Sequence, residues 1–187
     1  MTNSFIRLVR LSEEHTIVFK EEMQEAFQHG FEAYNKDAAE ETNQWQVLPD
    51  KDFYQSLKAE GAEAYEAVSE DGQRVGGAVL SIHKNEGELA FLYVKVGVQS
   101  KGIGQSIWKS IENMHPEIEV WETCTPYFDR RNIHFYINRC GFHAVEFFNE
   151  HHPDPNMPDQ FDQKDGLFKF EKRMKRHGRK IDKDKNR

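Results

Sequence analysis

One stretch decides the fold, residues 89–108, LAFLYVKVGVQSKGIGQSIW. It begins as an apolar, aromatic and β-branched run, which predicts a largely buried strand. Gly102 and Gly104 then mark a short turn, and a helical pattern follows. The amide hydrogens in the first turn of such a helix lack partners within the helix and lie at the positive end of its dipole. The stretch therefore predicts a binding site for an anionic group.

Hydrophobic patterning on either side of this stretch predicts the order β-α-α-β-β-β-α-β-α-β-β. Hairpins in the first half, with Asp71-Gly72 as the strongest turn signal, and a crossover helix before the fifth strand imply a mixed sheet with helices packed on it. The pair Gly76-Gly77 predicts a bulge or a close approach by another group. Helices are expected at 13–34, 49–61, 101–114 and 132–139, and strands at 5–11, 64–68, 74–82, from 89 onward, and at 118–125, 142–148 and 167–174.

Composition restricts the class of protein. A chain of 187 residues suits one domain with a sizeable core, and its 14 Phe, 6 Tyr and 3 Trp argue against disorder over most of its length. No apolar run approaches the ~20 residues that a membrane helix needs, and the N-terminus lacks a signal-peptide pattern. The two cysteines, Cys124 and Cys140, form no disulfide framework. We therefore expect a cytoplasmic protein that does not enter a membrane.

Charge is unevenly distributed along the chain. Residues 171–187 hold nine of the 25 Lys and Arg but three of the 32 Asp and Glu, so the rest of the chain is strongly acidic. An acidic body argues against nucleic-acid binding and favours a cationic or amine-bearing partner, or it serves solubility alone. The basic segment 175–187 is expected to be a disordered tail.

Two familiar phosphate-binding motifs do not fit the glycine turn. Gly97 and Gly102 have the spacing of a P-loop, but Ile103 and Gly104 stand where that loop needs Lys and Ser or Thr. A dinucleotide fingerprint needs a third glycine three residues after Gly104, and Ile107 stands there. Another kind of anion site is required.

The segment 99–104, QSKGIG, resembles the Q/R-x-x-G-x-G/A signature of the GNAT superfamily of N-acetyltransferases. Leu92-Tyr93-Val94 stands where that family has its L-x-V strand ending. The likeness spans about residues 5–174 and implies a single domain over 1–174. It implies an α+β, GNAT-like fold: a central mixed, mostly antiparallel sheet of six to seven strands, splayed between strands 4 and 5 and flanked by about four helices.

The resemblance implies acetyl-CoA as cosubstrate. The pantetheine arm would lie between the splayed strands and pair with the backbone of Leu92 and Val94, and the turn amides would bind the pyrophosphate. Lys101 would meet a phosphate or remain a solvated surface lysine. Asn132 would bond the pantetheine arm or act as the N-cap of its helix. The implied cofactor-binding residues are Leu92, Tyr93, Val94, Gln99, Ser100, Lys101, Gly102, Ile103, Gly104, Gln105, Ser106 and Asn132.

Acetyl transfer to an amine requires a deprotonated amine, a polarised thioester oxygen and a proton for the leaving thiolate. In the family a backbone amide, here near Val94, polarises the oxygen, and a Tyr after the fifth strand supplies the proton. Segment 132–142, NIHFYINRCGF, resembles the family's N…FY-x-K-x-G-F and makes Tyr136 the general-acid candidate. Tyr136 stands five residues before Gly141 instead of four, where Ile137 stands. Because one residue rotates a helical side chain by ~100°, Tyr136 is either the acid or a core aromatic.

Two carboxylates are candidates for the general base. Glu88 stands near the start of the fourth strand, where family members often carry a carboxylate that acts through water. Glu122 lies on the fifth strand, where the splay opens. Both are alternatively exposed strand charges. A substrate amine with a free pKa near ~10 needs such help at pH 7.

Two other kinds of chemistry have weaker support in the sequence. Nothing local orients Cys124 and His134 as a nucleophilic pair, and the family normally transfers the acyl group directly. The run Glu150-His151-His152 with Asp154 lacks usual metal-ligand spacing, so no metal is expected.

The sequence thus predicts transfer of acetyl from acetyl-CoA to a primary amine of a small molecule or peptide, by direct attack in a ternary complex. Transfer of a longer acyl group, or a non-catalytic acyl-CoA-binding or regulatory module, stays open. Dimers are common in the family, so a homodimer is allowed. Segments 27–60 and 149–166 are expected to rim the acceptor cleft. Acidic residues there would suit a cationic amine: Glu32, Asp37, Glu40, Glu41, Asp154 and Asp159.

Overall fold

A computed structural model describes residues 5–34, 48–98, 102–155 and 166–175. The strands are β1 Ile6–Arg10, β2 Ala62–Ser69, β3 Arg74–His83, β4 Glu86–Val94, β5 Val120–Pro126, β6 His143–Phe148 and β7 Leu167–Arg173. The helices are α1 Thr16–Tyr34, α2 Asp50–Lys58, α3 Ile103–Met114 and α4 Arg130–His134. A 3-10 turn, Glu13–His15, precedes α1, and a π-helical turn, Phe135–Cys140, follows α4.

The strands form one sheet in the order β1-β2-β3-β4-β5-β7-β6. β4 and β5 are parallel, because helix α3 carries the chain back across the sheet between them, and every other neighbouring pair is antiparallel. The predicted mixed, mostly antiparallel α+β fold is therefore confirmed, with seven strands and four helices among the described residues.

Hydrophobic cores lie on both faces of the sheet. Under α3, Trp108 meets Trp121 edge to face, with ring centroids 5.3 Å apart. Under α1 and α2, the ring of Phe19 meets Tyr93 in the same way at 5.2 Å. β4 contributes to both cores, with Leu89 in the first and Tyr93 in the second. Packing on both faces holds β4 in place as the central element of the site.

The predicted close approach at Gly76-Gly77 is confirmed. A Cβ atom at Gly77 would lie 2.3 Å from the ring of Phe19, and one at Gly76 would lie 2.2 Å from the carbonyl oxygen of Tyr93. The register between β2 and β3 also shifts beside Gly76, which is the expected bulge. The two glycines therefore let α1 and β4 approach the third strand closely.

The start of β4 and the form of the helix after β5 differ from the prediction. The turn before β4 is centred on Lys84, whose φ of 56° is left-handed, so the strand begins at Glu86 and not at Leu89. Glu88 therefore lies inside the strand. In the helix after β5, the last six residues form the π-helical turn. The tail from residue 176 lies outside the described residues. Within the described ranges, no helix is long and apolar enough to cross a membrane.

Candidate active site

The sheet opens between β4 and β5. Their parallel pairing ends, within the described residues, at the rung that joins Glu88 to Glu122. Ala90 then forms a bulge on β4, because the register with β3 shifts by one residue there. At the start of the opening, the Thr123 hydroxyl donates to the carbonyl oxygen of Leu89 at 2.8 Å. The predicted splay of the sheet is thus present, next to a bulge.

The end of β4 directs backbone groups into this opening. The amide of Lys95 donates to Val75 of β3 at 2.9 Å. Since backbone groups alternate in direction along a strand, those of Leu92 and Val94 face away from β3, toward the gap. The side chain of Tyr93 is buried in the α1 core, and by the same alternation its backbone groups face β3, so neither is directed toward the gap.

The glycine turn after β4 leads into the start of α3. Gly97 and Gly102 have φ angles of 86° and 108°, and among the described residues nothing beyond the chain neighbours lies within 4 Å of where their Cβ atoms would stand. Glycine is favoured at both positions because other residues are strained there. The first helical bond runs from the Ser106 amide to the carbonyl oxygen of Gly102, at 2.8 Å. The amides of residues 103–105 precede it and have no partner within the helix. Residues 99–101 lie outside the described ranges.

Gly104 differs from Gly102, because its missing side chain faces other parts of the protein. A Cβ atom at Gly104 would lie 3.2 Å from the Phe135 ring and 3.5 Å from Val94. Its small size serves the packing of α3 against the segment after β5. A bulky residue at this position would therefore disturb the protein's own packing as well as any ligand.

The helix after β5 is capped by Asp129. Its carboxylate accepts a hydrogen bond from the Asn132 amide nitrogen at 3.0 Å and a second from the Asn132 side chain at 2.7 Å. The alternative that Asn132 is the N-cap is therefore wrong. Asn132 lies in the first turn, with its side-chain NH₂ group bonded to the cap.

The π-helical turn, Phe135–Cys140, accommodates the unusual spacing around Tyr136. The amide of Gly141 donates to the carbonyl oxygen of Tyr136, five residues back, so the turn contains one more residue than an α-helical turn. The Tyr136 hydroxyl lies near the Thr123 side chain at the start of the opening. Ile137, which stands at the usual tyrosine position, is 39% exposed.

Tyr136 is buried in the core beside the opening. The residue is 5% exposed, and its ring packs against Phe142 and Phe170 at centroid distances of 5.7 and 5.9 Å. Burial raises the pKa of the Tyr136 phenol above its usual value, so the hydroxyl keeps its proton at neutral pH. The residue is thus a core aromatic whose hydroxyl reaches the edge of the cleft through Thr123.

The two candidate base residues lie side by side on the α1 face of the sheet. Glu88 is open to solvent on one side, yet the loss of water around its carboxyl, together with the charge of Glu122, raises its pKa above the usual value. Lys169 of β7 forms an ion pair with Glu122, with Nζ 2.9 Å from Oε1. The two carboxylates therefore have different surroundings.

Cys124 does not have the properties of a nucleophile. It follows Glu122 on the same face of β5 and reaches the cleft surface, but loss of water and nearby acidic groups raise the pKa of its thiol to about 12. The thiol is protonated at neutral pH and is a poor nucleophile. Over the described ranges, no cluster of three or more His, Cys, Asp or Glu is placed to hold a metal ion.

Comparison with known proteins identifies the family. The model of the "Acetyltransferase (GNAT) family" matches residues 20–142. The chain belongs to the GNAT acetyltransferase family. It is also 45% identical over 139 residues to the uncharacterized protein YrkN of Bacillus subtilis (strain 168), a match that covers 70% of this chain and 75% of that protein.

Solved structures share the GNAT fold. A GNAT acetyltransferase of Elizabethkingia anophelis with acetyl-CoA bound is 14% identical, with a TM-score of 0.63 over 91% of this chain and 99% of that one. The ribosomal-protein-S18-alanine N-acetyltransferase of Escherichia coli is 10% identical, with a TM-score of 0.64 over 94% and 98%. The spermidine N-acetyltransferase of Vibrio cholerae, in complex with CoA and spermine, is 9% identical, with a TM-score of 0.61 over 90% and 95%.

Aromatic residues bound the cleft of this GNAT protein on the α1 side. The ring of Phe27 lies 6.1 Å from Phe91 of β4, and that of Phe31 lies 5.2 Å from Phe128, after β5. The second half of α1 thus borders the opening, as expected for part of segment 27–60. Of the acidic residues expected at the rim, Glu32 and Asp154 lie within the described residues, whereas Asp37, Glu40, Glu41 and Asp159 lie outside them.

Sequence reasoning missed two residues of the site, Thr123 and Lys169. Alternation along β5 and β7 gives the face on which each side chain lies. The neighbour of each strand, however, depends on the order β5-β7-β6, in which the last strand of the chain inserts next to β5. That order brings Lys169 to Glu122, and no local sequence pattern predicts the order.

Proposed function

We propose that this GNAT protein is an N-acetyltransferase that moves the acetyl group of acetyl-CoA to a primary amine, by direct attack in a ternary complex. The observation that carries the proposal is the opening between β4 and β5, which begins beyond the rung of Glu88 and Glu122 and is bordered by the end of β4. The glycine turn and the start of α3 follow that strand along the chain, so a place for a thioester would lie next to a place for an anion.

Acetyl-CoA would be held mainly by backbone groups. The gap-facing groups of Leu92 and Val94 would pair with the pantetheine arm. The amides of residues 102–105, with residues 99–101 before them, would bind the pyrophosphate. The Ser106 amide is already bonded to Gly102, so Ser106 would contribute its hydroxyl. Asn132 is proposed to contact the pantetheine arm through its side-chain carbonyl.

The reaction would proceed by four proton and bond changes. Glu88 accepts a proton from the substrate ammonium, through water, and frees the lone pair of the nitrogen. That nitrogen attacks the thioester carbonyl carbon, so that a C–N bond forms and the C–S bond breaks, while the backbone amide near Val94 stabilises the oxygen. The Tyr136 hydroxyl gives its proton to the leaving thiolate. The acylated nitrogen then releases its remaining extra proton, which returns to Tyr136 through water.

Glu88 is a better candidate for the base than Glu122. A base works best when its pKa is nearer the working pH, and loss of water moves the pKa of Glu88 in that direction. Glu122, in contrast, holds the ammonium group of Lys169. We therefore assign proton acceptance to Glu88 and an electrostatic role to Glu122.

A matched pair of glycine variants tests the cofactor site. Gly102 and Gly72 both have a positive φ, and among the described residues a Cβ atom at either would meet nothing within 4 Å beyond the chain neighbours, but only Gly102 lies at the proposed pyrophosphate site. Asp is strained at both positions and adds a negative charge at both, so the comparison isolates the effect of position. We expect Gly102→Asp to weaken acetyl-CoA binding at least ~10-fold, the size of a lost charge-assisted contact, in calorimetry.

Gly72→Asp, in the β2–β3 turn, should bind as the unchanged protein does. Equal affinity of the two variants would refute the pyrophosphate assignment, and no binding at millimolar acetyl-CoA would refute the cofactor itself. Thiol release across a panel of primary amines then tests the reaction.

The burial of Tyr136 favours one second candidate, an acyl-CoA-binding module without turnover. A residue that is 5% exposed has restricted access to a thiolate. Tight acetyl-CoA binding with no thiol release across a broad amine panel would select the module over the enzyme.

A further inference from the structure

We infer that Lys169 of β7 is a positioning residue of the active site, which acts through Glu122 to set the pH range in which Glu88 accepts the substrate proton. The inference deepens the proposed function and rests on it for the role of Glu88. The electrostatic coupling itself is a property of the three side chains.

The sheet places the three side chains on one face. Glu88 and Glu122 are partners on the last rung between β4 and β5. Lys169 is the register partner of Cys124, which follows Glu122 by two residues, so its side chain is diagonal to Glu122. The ion pair of 2.9 Å between Nζ and Oε1 closes this diagonal.

Two carboxylates thus share one ammonium group. Within the described part of the chain, Glu88 has no ion-pair partner, and Lys169 bonds Glu122 alone. Lys169 is partly buried, with 27% of its side chain exposed, so solvent screens this pair less than one on the open surface. The protonation of Glu88 therefore depends on how well Lys169 neutralises its neighbour.

Other groups around Glu88 act in known directions. Loss of water and the charge of Glu122 raise its pKa, while His83 of β3 and Lys169 lower it. Cys124 and Asp154 lie in the same surroundings and add an uncharged thiol and a further negative charge. Only Glu122 is both a rung neighbour of Glu88 and bonded to the lysine, which makes it the link between them.

Two substitutions should move the titration of Glu88 in opposite directions. Lys169→Met leaves Glu122 as an uncompensated negative charge, so Glu88 should hold its proton to higher pH. Glu122→Gln removes that charge, so Glu88 should lose its proton at lower pH. If the two substitutions only disturbed the structure, they would not be expected to shift the titration of Glu88 in opposite directions.

The direct readout is an NMR titration of the Glu88 carboxyl in the full chain with labelled glutamate, assigned with Glu88→Gln. We expect the midpoint to rise by about half a pH unit or more in Lys169→Met and to fall by a similar amount in Glu122→Gln, as for a like charge gained or lost nearby. Lys169→Arg should keep the original midpoint. Arg173→Met removes a cation from the same strand at an exposed position paired with Glu171, and serves as the matched control.

The inference is overturned if both variants titrate as Arg173→Met does, or if both shift in the same direction. The acidic limb of kcat/KM, measured with the best amine of the panel, should follow the NMR midpoints. NMR midpoints that shift as expected in a protein that acetylates no amine would support the coupling and refute the proposed function, so the two failures are distinguishable.

Discussion

Two pairs of glutamates lie on the α1 side of the sheet, and their surroundings differ sharply. Glu22 of α1 and Glu66 of β2, the buried pair, are 8% and 5% exposed between the helix and the sheet. Glu88 and Glu122, the cleft pair, lie where the sheet opens and α1 no longer covers it. The contrast separates a structural carboxylate from the one proposed here as the base.

The buried pair has as many cations as carboxylates. Lys95 lies 2.6 Å from a carboxylate oxygen of Glu22, and Arg74 lies 3.1 Å from one of Glu66 and 3.8 Å from one of Glu22. The Tyr93 hydroxyl also donates to Glu22, at 3.3 Å. Because a buried charge is tolerated only when it is paired and hydrogen-bonded, these contacts explain how two carboxylates lie inside the protein. They join α1 to β2, β3 and β4.

Within the ranges that the structure describes, the cleft pair has two carboxylates and one ion-paired cation, Lys169. One of the two carboxylates, Glu88, is left with a raised pKa and with access from the solvent. The number of cations, and not burial alone, therefore decides which carboxylate is available to take a proton. Perturbed carboxylates in a cleft are candidates for function on this physical ground.

The largest expected effect is on the buried pair. Arg74→Met leaves Glu66 without its guanidinium partner and should lower the free energy of unfolding by about 3 kcal/mol, as for other broken buried ion pairs. Urea unfolding at neutral pH measures it. Lys169→Met, at the more open cleft pair, should cost less than ~1 kcal/mol. An Arg74→Met protein as stable as Lys169→Met would show that the two pairs do not differ as described.

The next effect concerns the reaction. Glu88→Gln should lower kcat about 10²-fold, the contribution typical of a general base, while acetyl-CoA affinity stays the same. Rates of thiol release and calorimetry provide the two readouts. Glu70→Gln, at the exposed β2–β3 turn, is the matched control and should keep full activity. Full turnover in Glu88→Gln would show that Glu88 is not the general base.

The smallest effect is a pH dependence of stability. Since the pKa of Glu88 is raised in the folded state, its contribution to stability is present below the ordinary glutamate pKa and is lost as pH rises through the raised value. Gln at this position has no such dependence. The melting temperature of Glu88→Gln minus that of the unchanged protein should therefore increase from pH 4 to pH 8. A difference that is constant with pH would contradict the raised pKa.

Local signals were sufficient for several parts of this molecule. The strand, glycine turn and helix of residues 89–108 could be predicted because alternation, glycine conformation and helix-end amides are properties of neighbouring residues. The Asp71-Gly72 hairpin followed in the same way. The parallel β4–β5 pair could be predicted because a helix of the length of α3 returns the chain across the sheet.

The tertiary structure decided what depends on distant residues. Gly104 faces Phe135, the turn after α4 takes a π-helical form around Tyr136, and Asp129 replaces Asn132 as the cap. These outcomes depend on how segments pack, which no local pattern contains.

The sequence alone thus determined the glycine turn, the succession of strands and helices along the chain, and the family. The fold decided which charges meet, because β7 inserts beside β5 and brings Lys169 to Glu122 across 47 positions of the chain. Electrostatic interaction depends on distance in space, and only the packed sheet supplies that distance.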